Sequence, residues 1–297
     1  MEQLRNELSH LLGERLSRME CVSEKTDSTL WSLYDSNGNA LPLLAKSFVT
    51  RGEAARMASK MSALARSGTL RIPAIYGVIT HENTPGPDVL LMERLRGVSV
   101  EAPTRTPARW EQLKDQIVEG LLAWHRIDSG GCVGMVDSTQ DNLWPYWYRQ
   151  RVETLWTTLN QFRNTGLTME DKSVLFRSRE YLPRLFADFS DNCVLVHGNF
   201  NLRSMLKDVR SDQLVAMVNP GPVLWAPREF ELFGLYEDGP ASELFWHYQQ
   251  RAPVAESFLS RRWLYVMWRE VAQLVQHGRF DRPAFDRAAR ELLPWLG

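Results

Sequence analysis

Val196-His197-Gly198-Asn199-Phe200-Asn201-Leu202-Arg203-Ser204-Met205-Leu206, with Met217-Val218-Asn219-Pro220 downstream, is the stretch that decides the fold of this chain. Residues 193–196 form a short continuous apolar run, the pattern of a buried strand, and His197-Gly198 ends it at a tight turn. Residues 214–218 are a second apolar run, expected to close a hairpin after the polar turn 207–213. Asn199 has no ionisable side chain, Ser204 offers a hydroxyl and Asn219 an amide. The stretch therefore has strands placed to present a polar site, without an acid at any of those three positions.

Outward from this centre, the flanking pattern divides in two. Leu4, Leu8, Leu12 and Leu16 recur along one helical face of residues 1–18. The mixed charge of that segment favours a helix docked on a core over a membrane-surface helix or a secretory leader. Residues 29–34 alternate as a strand, Asp35-Ser36-Asn37-Gly38 turns, and residues 41–48 return. Residues 53–66 have helical spacing, with Met57, Met61 and Leu64 on one face and Gly68 as a C-terminal cap. Strands follow at 74–80 and 89–92, around the turn Thr84-Pro85-Gly86-Pro87. Helix and antiparallel strands so mixed predict a small α+β lobe over residues 1–96.

Residues 97–297 read as a larger, mainly helical lobe, joined by the short linker 97–106. Thr106-Pro107 is a cap and first-position pair opening a helix with Trp110, Leu113, Ile117, Leu121 and Trp124 inward. Further helices are expected at 146–162, 169–187, 229–236, 242–250, 259–277 and 282–296. There is no internal repeat and no low-complexity segment.

Composition narrows the function classes. The 297 residues are 44% hydrophobic and 24% charged, with 35 basic and 36 acidic side chains and a formal net charge of -1. That balance gives no footprint for nucleic acid or an anionic membrane. No apolar run approaches the ~20 residues that span a bilayer, and a cytoplasmic location is expected. Cys21, Cys132 and Cys193 are odd in number and widely spaced, which predicts buried free thiols in a reducing compartment. His10, His81, His125, His247 and His277 show no metal-ligand spacing. Most of the 11 tryptophans sit at helical core spacing; Trp144 and Trp147 are the exception, read as a platform for a stacked ligand.

The central stretch resembles the fructosamine kinases and the aminoglycoside phosphotransferases. Those families place a general-base Asp where Asn199 stands, a magnesium-binding Asn at Ser204 and a metal-binding Asp at Asn219. The likeness extends along the chain. Leu43-Leu44-Ala45-Lys46 is similar to the strand whose lysine meets nucleotide phosphates, and Leu90-Leu91-Met92-Glu93-Arg94-Leu95 to the hinge. Arg66-Ser67-Gly68-Thr69-Leu70-Arg71-Ile72-Pro73 resembles the link between the first helix and the next strand. Gln140-Asp141-Asn142-Leu143-Trp144-Pro145-Tyr146-Trp147 resembles a substrate-lobe motif, and Arg228-Glu229-Phe230-Glu231-Leu232 the acidic helix start after the metal loop. The resemblance implies a two-lobed protein-kinase-like fold of α+β class.

By the same resemblance, Lys46, Met92, Glu93 and Leu95 are the nucleotide-binding positions. Ser204 and Asn219 are the metal-ligand positions, Trp144 and Trp147 belong to the substrate lobe, and His197, Gly198 and Glu231 brace the loop. Magnesium wants hard oxygen ligands, usually one or two carboxylates, and both Asp positions carry Asn here. Asp208, Asp212 and Glu229 are the acids that would have to move in to replace them. The loop over the phosphates, Glu24-Lys25-Thr26-Asp27-Ser28, has no glycine to let backbone amides approach an anion. Active kinases orient this lysine with a helix glutamate, but Met57-Ala58-Ser59-Lys60 offers none, and Glu53 is the nearest substitute. ATP is therefore expected to bind weakly, without magnesium as a firm cofactor. A pseudokinase that holds a small-molecule ligand or a protein partner in its cleft is the function expected. The alternatives are an active ATP-dependent kinase for a small hydroxylated metabolite, and a structural interaction module whose cleft is filled by its own side chains.

Overall fold

A computed structural model describes residues 2–81, 86–162 and 165–297, so Thr84 and Pro85 of the expected turn lie outside the described residues. Strands β1 (Arg18–Glu24), β2 (Ser28–Tyr34), β3 (Ala40–Phe48), β4 (Ile75–Ile79) and β5 (Asp88–Glu93) form one antiparallel sheet in the order β1-β2-β3-β5-β4. Successive strand residues point to opposite faces, and the two faces are used differently. Leu33, Ala45, Val89 and Leu91 join Leu4, Leu8 and Leu16 in a small core beneath helix α1 (Glu2–Leu12). Leu44, Lys46, Leu90 and Met92 line a cavity on the other face, together with Met57 and Met61 of α2 (Glu53–Ser67). Because Ala45 points inward, the pleat delivers Lys46 to the cavity, across from Leu30 on β2 and Leu90 on β5.

Two expectations at helix ends change. Helix α1 stops at Leu12, where Gly13 donates its N–H to the His10 carbonyl and the chain turns into β1. Gly68 is not a left-handed cap, since its φ is -150°. Its lack of a side chain serves space instead: a Cβ there would lie 2.1 Å from Nε1 of Trp124, which donates to the Leu64 carbonyl at 3.1 Å. Gly68→Ala is expected to displace that indole and cost about 1–3 kcal/mol, read as a lower urea midpoint at unchanged slope.

Strand β6 (Val98–Ser99) begins the larger half. Helix α3 (Pro107–His125) starts at the Thr106 cap, whose hydroxyl accepts from the Arg109 N–H. Then come β7 (Cys132–Met135), β8 (Gln140–Asp141), α4 (Trp144–Gln161), α5 (Met169–Glu180), α6 (Leu182–Leu185), β9 (Cys193–Val196), β10 (Met205–Lys207), β11 (Leu214–Met217) and β12 (Leu224–Pro227). Helices α7 (Glu229–Leu232), α8 (Pro240–Arg251), α9 (Phe258–His277) and α10 (Arg282–Leu292) complete the chain. The helix expected over 169–187 is two pieces, since Pro183 cannot donate the backbone bond that would carry α5 through.

The apolar runs on either side of the decisive stretch lie in different sheets. β11 pairs with β10 and, through it, β6; β9 pairs with β12 in a sheet ordered β8-β7-β12-β9. The hairpin expected across the turn 207–213 is formed, but β11 closes it with β10 and not with 193–196. The true partner of 193–196, Leu224-Trp225-Ala226-Pro227, is short and ends in proline, which disguises it as a loop.

The thiols are all free, and Cys193 is buried, but Cys21 is exposed because it lies on the edge strand β1. No described helix is long and apolar enough to cross a membrane.

Candidate functional site

Strand β9 delivers the chain into a loop that Glu231 of α7 holds from beneath. Its carboxylate accepts from the backbone N–H of His197 and, at 3.2 Å, from that of Gly198. Gly198 sits at φ 75°, and a Cβ there would come within 2.8 Å of Pro222 Cδ. The His197 ring is fully buried and stacked on Trp124, 6.1 Å between centroids at 10°. Burial pushes its pKa down to about 3, with the backbone of Val218 and Asn199 opposing, so the ring is neutral in ordinary buffers. His197 packs the loop onto α3.

Burial pushes the Glu231 carboxyl up to about 8, against the pull of the His197, Gly198 and Phe200 backbone. An acid whose folded pKa exceeds its ordinary value of 4.5 contributes stability below that value and loses it as pH rises through 8. Stability is expected to decline over that window in the wild type and to decline less in Glu231→Gln. Urea unfolding across a pH series measures both slopes, and equal slopes would exclude Glu231 as the titrating group.

Asn199, Ser204 and Asn219 meet at one cavity. The Asn199 amide nitrogen donates to the Asn219 carbonyl at 2.9 Å, and its amide oxygen accepts from Asn201 Nδ2 at 3.1 Å. An aspartate at 199 would set an oxygen against that carbonyl, so the loop is wired for an amide. The Ser204 hydroxyl is spent within its own turn, donating to the Asn201 carbonyl at 2.7 Å and accepting from the Asn201 N–H at 3.1 Å. Asn219 is held at φ 55°.

Magnesium does not fit this donor set. Asn199 and Ser204 are committed to the loop, and Asn219 brings a neutral amide where a divalent cation wants carboxylate. The replacement acids are committed too. Asp208 accepts from Arg210 and Ser211, Asp212 pairs with buried Lys207 at 3.1 Å, and Glu229 pairs with Arg261 at 2.8 Å. Among the described residues no cluster of His, Cys, Asp and Glu is grouped to hold a metal.

The space between the halves has two parts. Under the sheet, a 260 Å³ pocket is lined by Leu30, Leu44, Leu90, Met92, Glu93 and Leu95, with Lys46 and Asn219 at its mouth. At the hinge, the Glu93 N–H is donated to the Ala74 carbonyl at 2.8 Å and the Arg94 N–H to the Pro42 carbonyl at 2.9 Å. Among the described residues the Leu95 N–H has no such partner. The Glu93 side chain is turned aside to Arg71. The second part is an 830 Å³ cleft that reaches from Lys46, Asn199 and Asn219 down to α4 and α9.

Lys46 has no ion pair among the described residues. Burial lowers its pKa, as does the neighbouring Lys25, while Asp27 and Glu53 act the other way. Glu53 is held by Arg56 at 2.7 Å, so the substitute partner is engaged elsewhere. The glycine-free loop 24–28 is fastened across the cleft, where Asp27 meets His277 of α9 at 3.4 Å.

Trp144 and Trp147 are corrected by the structure. Trp144 is 2% exposed, stacked on Trp147 at 5.1 Å, and donates its indole N–H to Tyr265 at 3.2 Å. Trp147 packs where Gly134 leaves room for it. Neither lines the cleft. The face of α4 that does is one turn further, through Tyr148, Arg151, Val152 and Leu155. Lys60 of α2 lines the same cleft; a lone cation on an amphipathic helix looks like a solvated face, and the one local signal is a lysine where an acid is expected.

A twisted antiparallel sheet, a hinge and a braced polar loop facing a cleft from a helical half define a kinase-like phosphotransferase fold. The chain belongs to the phosphotransferase enzyme family known as APH, whose model matches residues 43–274. It is 71% identical over 296 residues, the full length of both chains, to proteins of Escherichia coli K12 and Shigella flexneri described as uncharacterized protein YcbJ. Among the solved structures that share its fold are two kinases. One is a proposed fructosamine-3-kinase of Thermobifida fusca, with a TM-score of 0.70, 18% identity and 99% of both chains covered. The other is a thermostable mutant of the aminoglycoside phosphotransferase APH(4)-Ia in complex with ADP and hygromycin B, with a TM-score of 0.71 and 15% identity, covering 99% of this chain and 98% of that one.

Proposed function

We propose that this protein is a phosphotransferase-fold pseudokinase that binds a small-molecule ligand in its inter-lobe cleft and does not transfer phosphate. The observation that carries this is the state of positions 199, 204 and 219. They meet at one cavity as neutral side chains, two of them bonded into the loop itself, and Asn199 and Asn219 also face the cleft. Phosphoryl transfer depends on positioning and on metal ions that neutralise developing charge, and a fold alone does not supply either. The cleft stays open: 830 Å³ between the halves is not filled by the protein's own side chains, which disfavours a purely structural module. Adenine is the base suited to the 260 Å³ pocket, an apolar slot lined in part by Leu95, whose N–H has no backbone partner among the described residues. The setting is that of an interior enzyme-like protein, cytoplasmic in keeping with its thiols.

The rival, an active ATP-dependent kinase for a small hydroxylated metabolite, draws on Lys46 in the cleft and on the intact Glu231 brace. Mass spectrometry of candidate sugars and aminoglycosides after incubation with protein, ATP and magnesium separates the two. No gain of a phosphoryl group is expected. Turnover that survives repurification and disappears in Lys46→Met would establish the kinase.

A further inference from the structure

We propose, on the footing of that ligand-binding reading, that the lower half of the cleft is a site for a phosphate-bearing small molecule, gripped without metal between Lys60 of α2 and Arg151 of α4. Lys60 is 8% exposed and lines the 830 Å³ cleft. It occupies the segment of α2 where kinases place an acid to hold the strand lysine. Its stem is buried while its ammonium stays open to the cleft, and among the described residues Lys60 has neither an ion pair nor a hydrogen bond. Arg151 enters the same cleft from the opposite half. Its guanidinium has aromatic company, 5.9 Å from the Trp147 ring, and no carboxylate partner among the described residues. Burial lowers its pKa.

The other charges facing the cleft are already matched. Asp27 takes His277 at 3.4 Å and Arg279 at 4.0 Å, Glu53 takes Arg56 at 2.7 Å, and Arg269 takes Glu270 at 2.7 Å. Positive charge is left over at Lys25, Lys46, Lys60 and Arg151. The site has thus exchanged the carboxylates that hold a metal for cations that face an anion directly. Phosphate suits such a pair because a guanidinium binds two of its oxygens in a fork while an ammonium serves as a point charge on a third. Tyr148, Val152 and Leu155 border Arg151 and give an organic body an apolar wall. The cleft volume is in the range of small-molecule sites.

The test is calorimetric titration of the full chain with inorganic phosphate and pyrophosphate at constant ionic strength, with adenosine as a parallel ligand. Wild type is compared with Lys60→Met, Arg151→Met and Lys46→Met. Pyrophosphate is expected to bind wild type and to lose about tenfold or more in affinity in both Lys60→Met and Arg151→Met. Adenosine is expected to keep its affinity in those two variants, because neither residue lines the hinge pocket. No anion binding at millimolar concentrations, or a loss confined to Lys46→Met, would each overturn the site. Adenosine binding that persists in that event leaves the ligand-binding reading standing. Anion binding with no adenosine binding keeps the site and removes the hinge pocket as a base-binding site.

Discussion

Arg261→Met is expected to cost about 3–5 kcal/mol of folding stability, the usual range for stripping one partner from a buried ion pair. Arg261 Nε and Nη2 each meet a Glu229 oxygen at 2.8 Å, and both side chains are 1% exposed. The network extends outward. Tyr265 donates to Glu229 at 2.5 Å, Trp144 donates to Tyr265 at 3.2 Å, and Arg261 also donates to the Leu185 carbonyl at 3.1 Å. Burial already raises the Glu229 pKa, with Arg261 and Tyr265 acting against it. Without the arginine, Glu229 is left as an uncompensated acid in the core of the helical half and must take up a proton. The double variant Arg261→Met, Glu229→Leu is expected to recover most of the loss, because an apolar pair of similar volume removes both desolvation costs. Urea unfolding of the four members of the cycle measures the coupling. A single-variant loss below about 1 kcal/mol would mean that the pair is solvated. The consequence for the site is mechanical, since the four-residue α7 carries both Glu229 and the loop brace Glu231.

Magnesium is expected to weaken ATP binding, by about tenfold or ~1.4 kcal/mol, which is the opposite of its effect on a working kinase. Free ATP brings its full negative charge to Lys25, Lys46 and the unmatched cations deeper in the cleft. Magnesium cancels part of that charge and, with neutral Asn219 in front of it, gains no carboxylate in return. Adenosine has no phosphates and is expected to be indifferent to the metal. In Asn219→Asp the penalty is expected to shrink, since a carboxylate then faces the cation from a backbone position that aspartate also tolerates at φ 55°. Asn199→Asp is a poorer choice, because its oxygen would oppose the Asn219 carbonyl that the amide now satisfies. Calorimetry of ATP with magnesium and with a chelator decides the sign. Tightening by magnesium would reveal a metal site that these side chains do not explain.

Much of the fold was legible in the chain itself. Alternation in 29–34 and 41–48 is a local property, and so is the Thr106-Pro107 helix start; both needed nothing beyond neighbouring residues to be read. The strand period also puts Lys46 on the face opposite Ala45, and the order of motifs around His197-Gly198 carries the likeness to the family. Substitution at 199, 204 and 219 was equally plain, since the loss of a carboxylate is a matter of identity and not of position.

What the tertiary structure decided is where long-range partners stand. Strand β9 found β12 instead of 214–218, because a short proline-ended strand gives no local signal and is selected by the sheet it completes. Gly68 was decided by Trp124, a residue far along the chain that fills the space a side chain would take. Trp144 and Trp147, aromatic and adjacent on one helix, went into the core because Tyr265 and Gly134 receive them, while the next turn of α4 turned Arg151 to the cleft. Whether a charged side chain is matched or left over is the sum of partners drawn from every element around it. Composition set the near-balance of charge over the whole chain; packing left Lys25, Lys46, Lys60 and Arg151 facing one cleft without ion-pair partners among the described residues, because the acids near them are drawn to other cations.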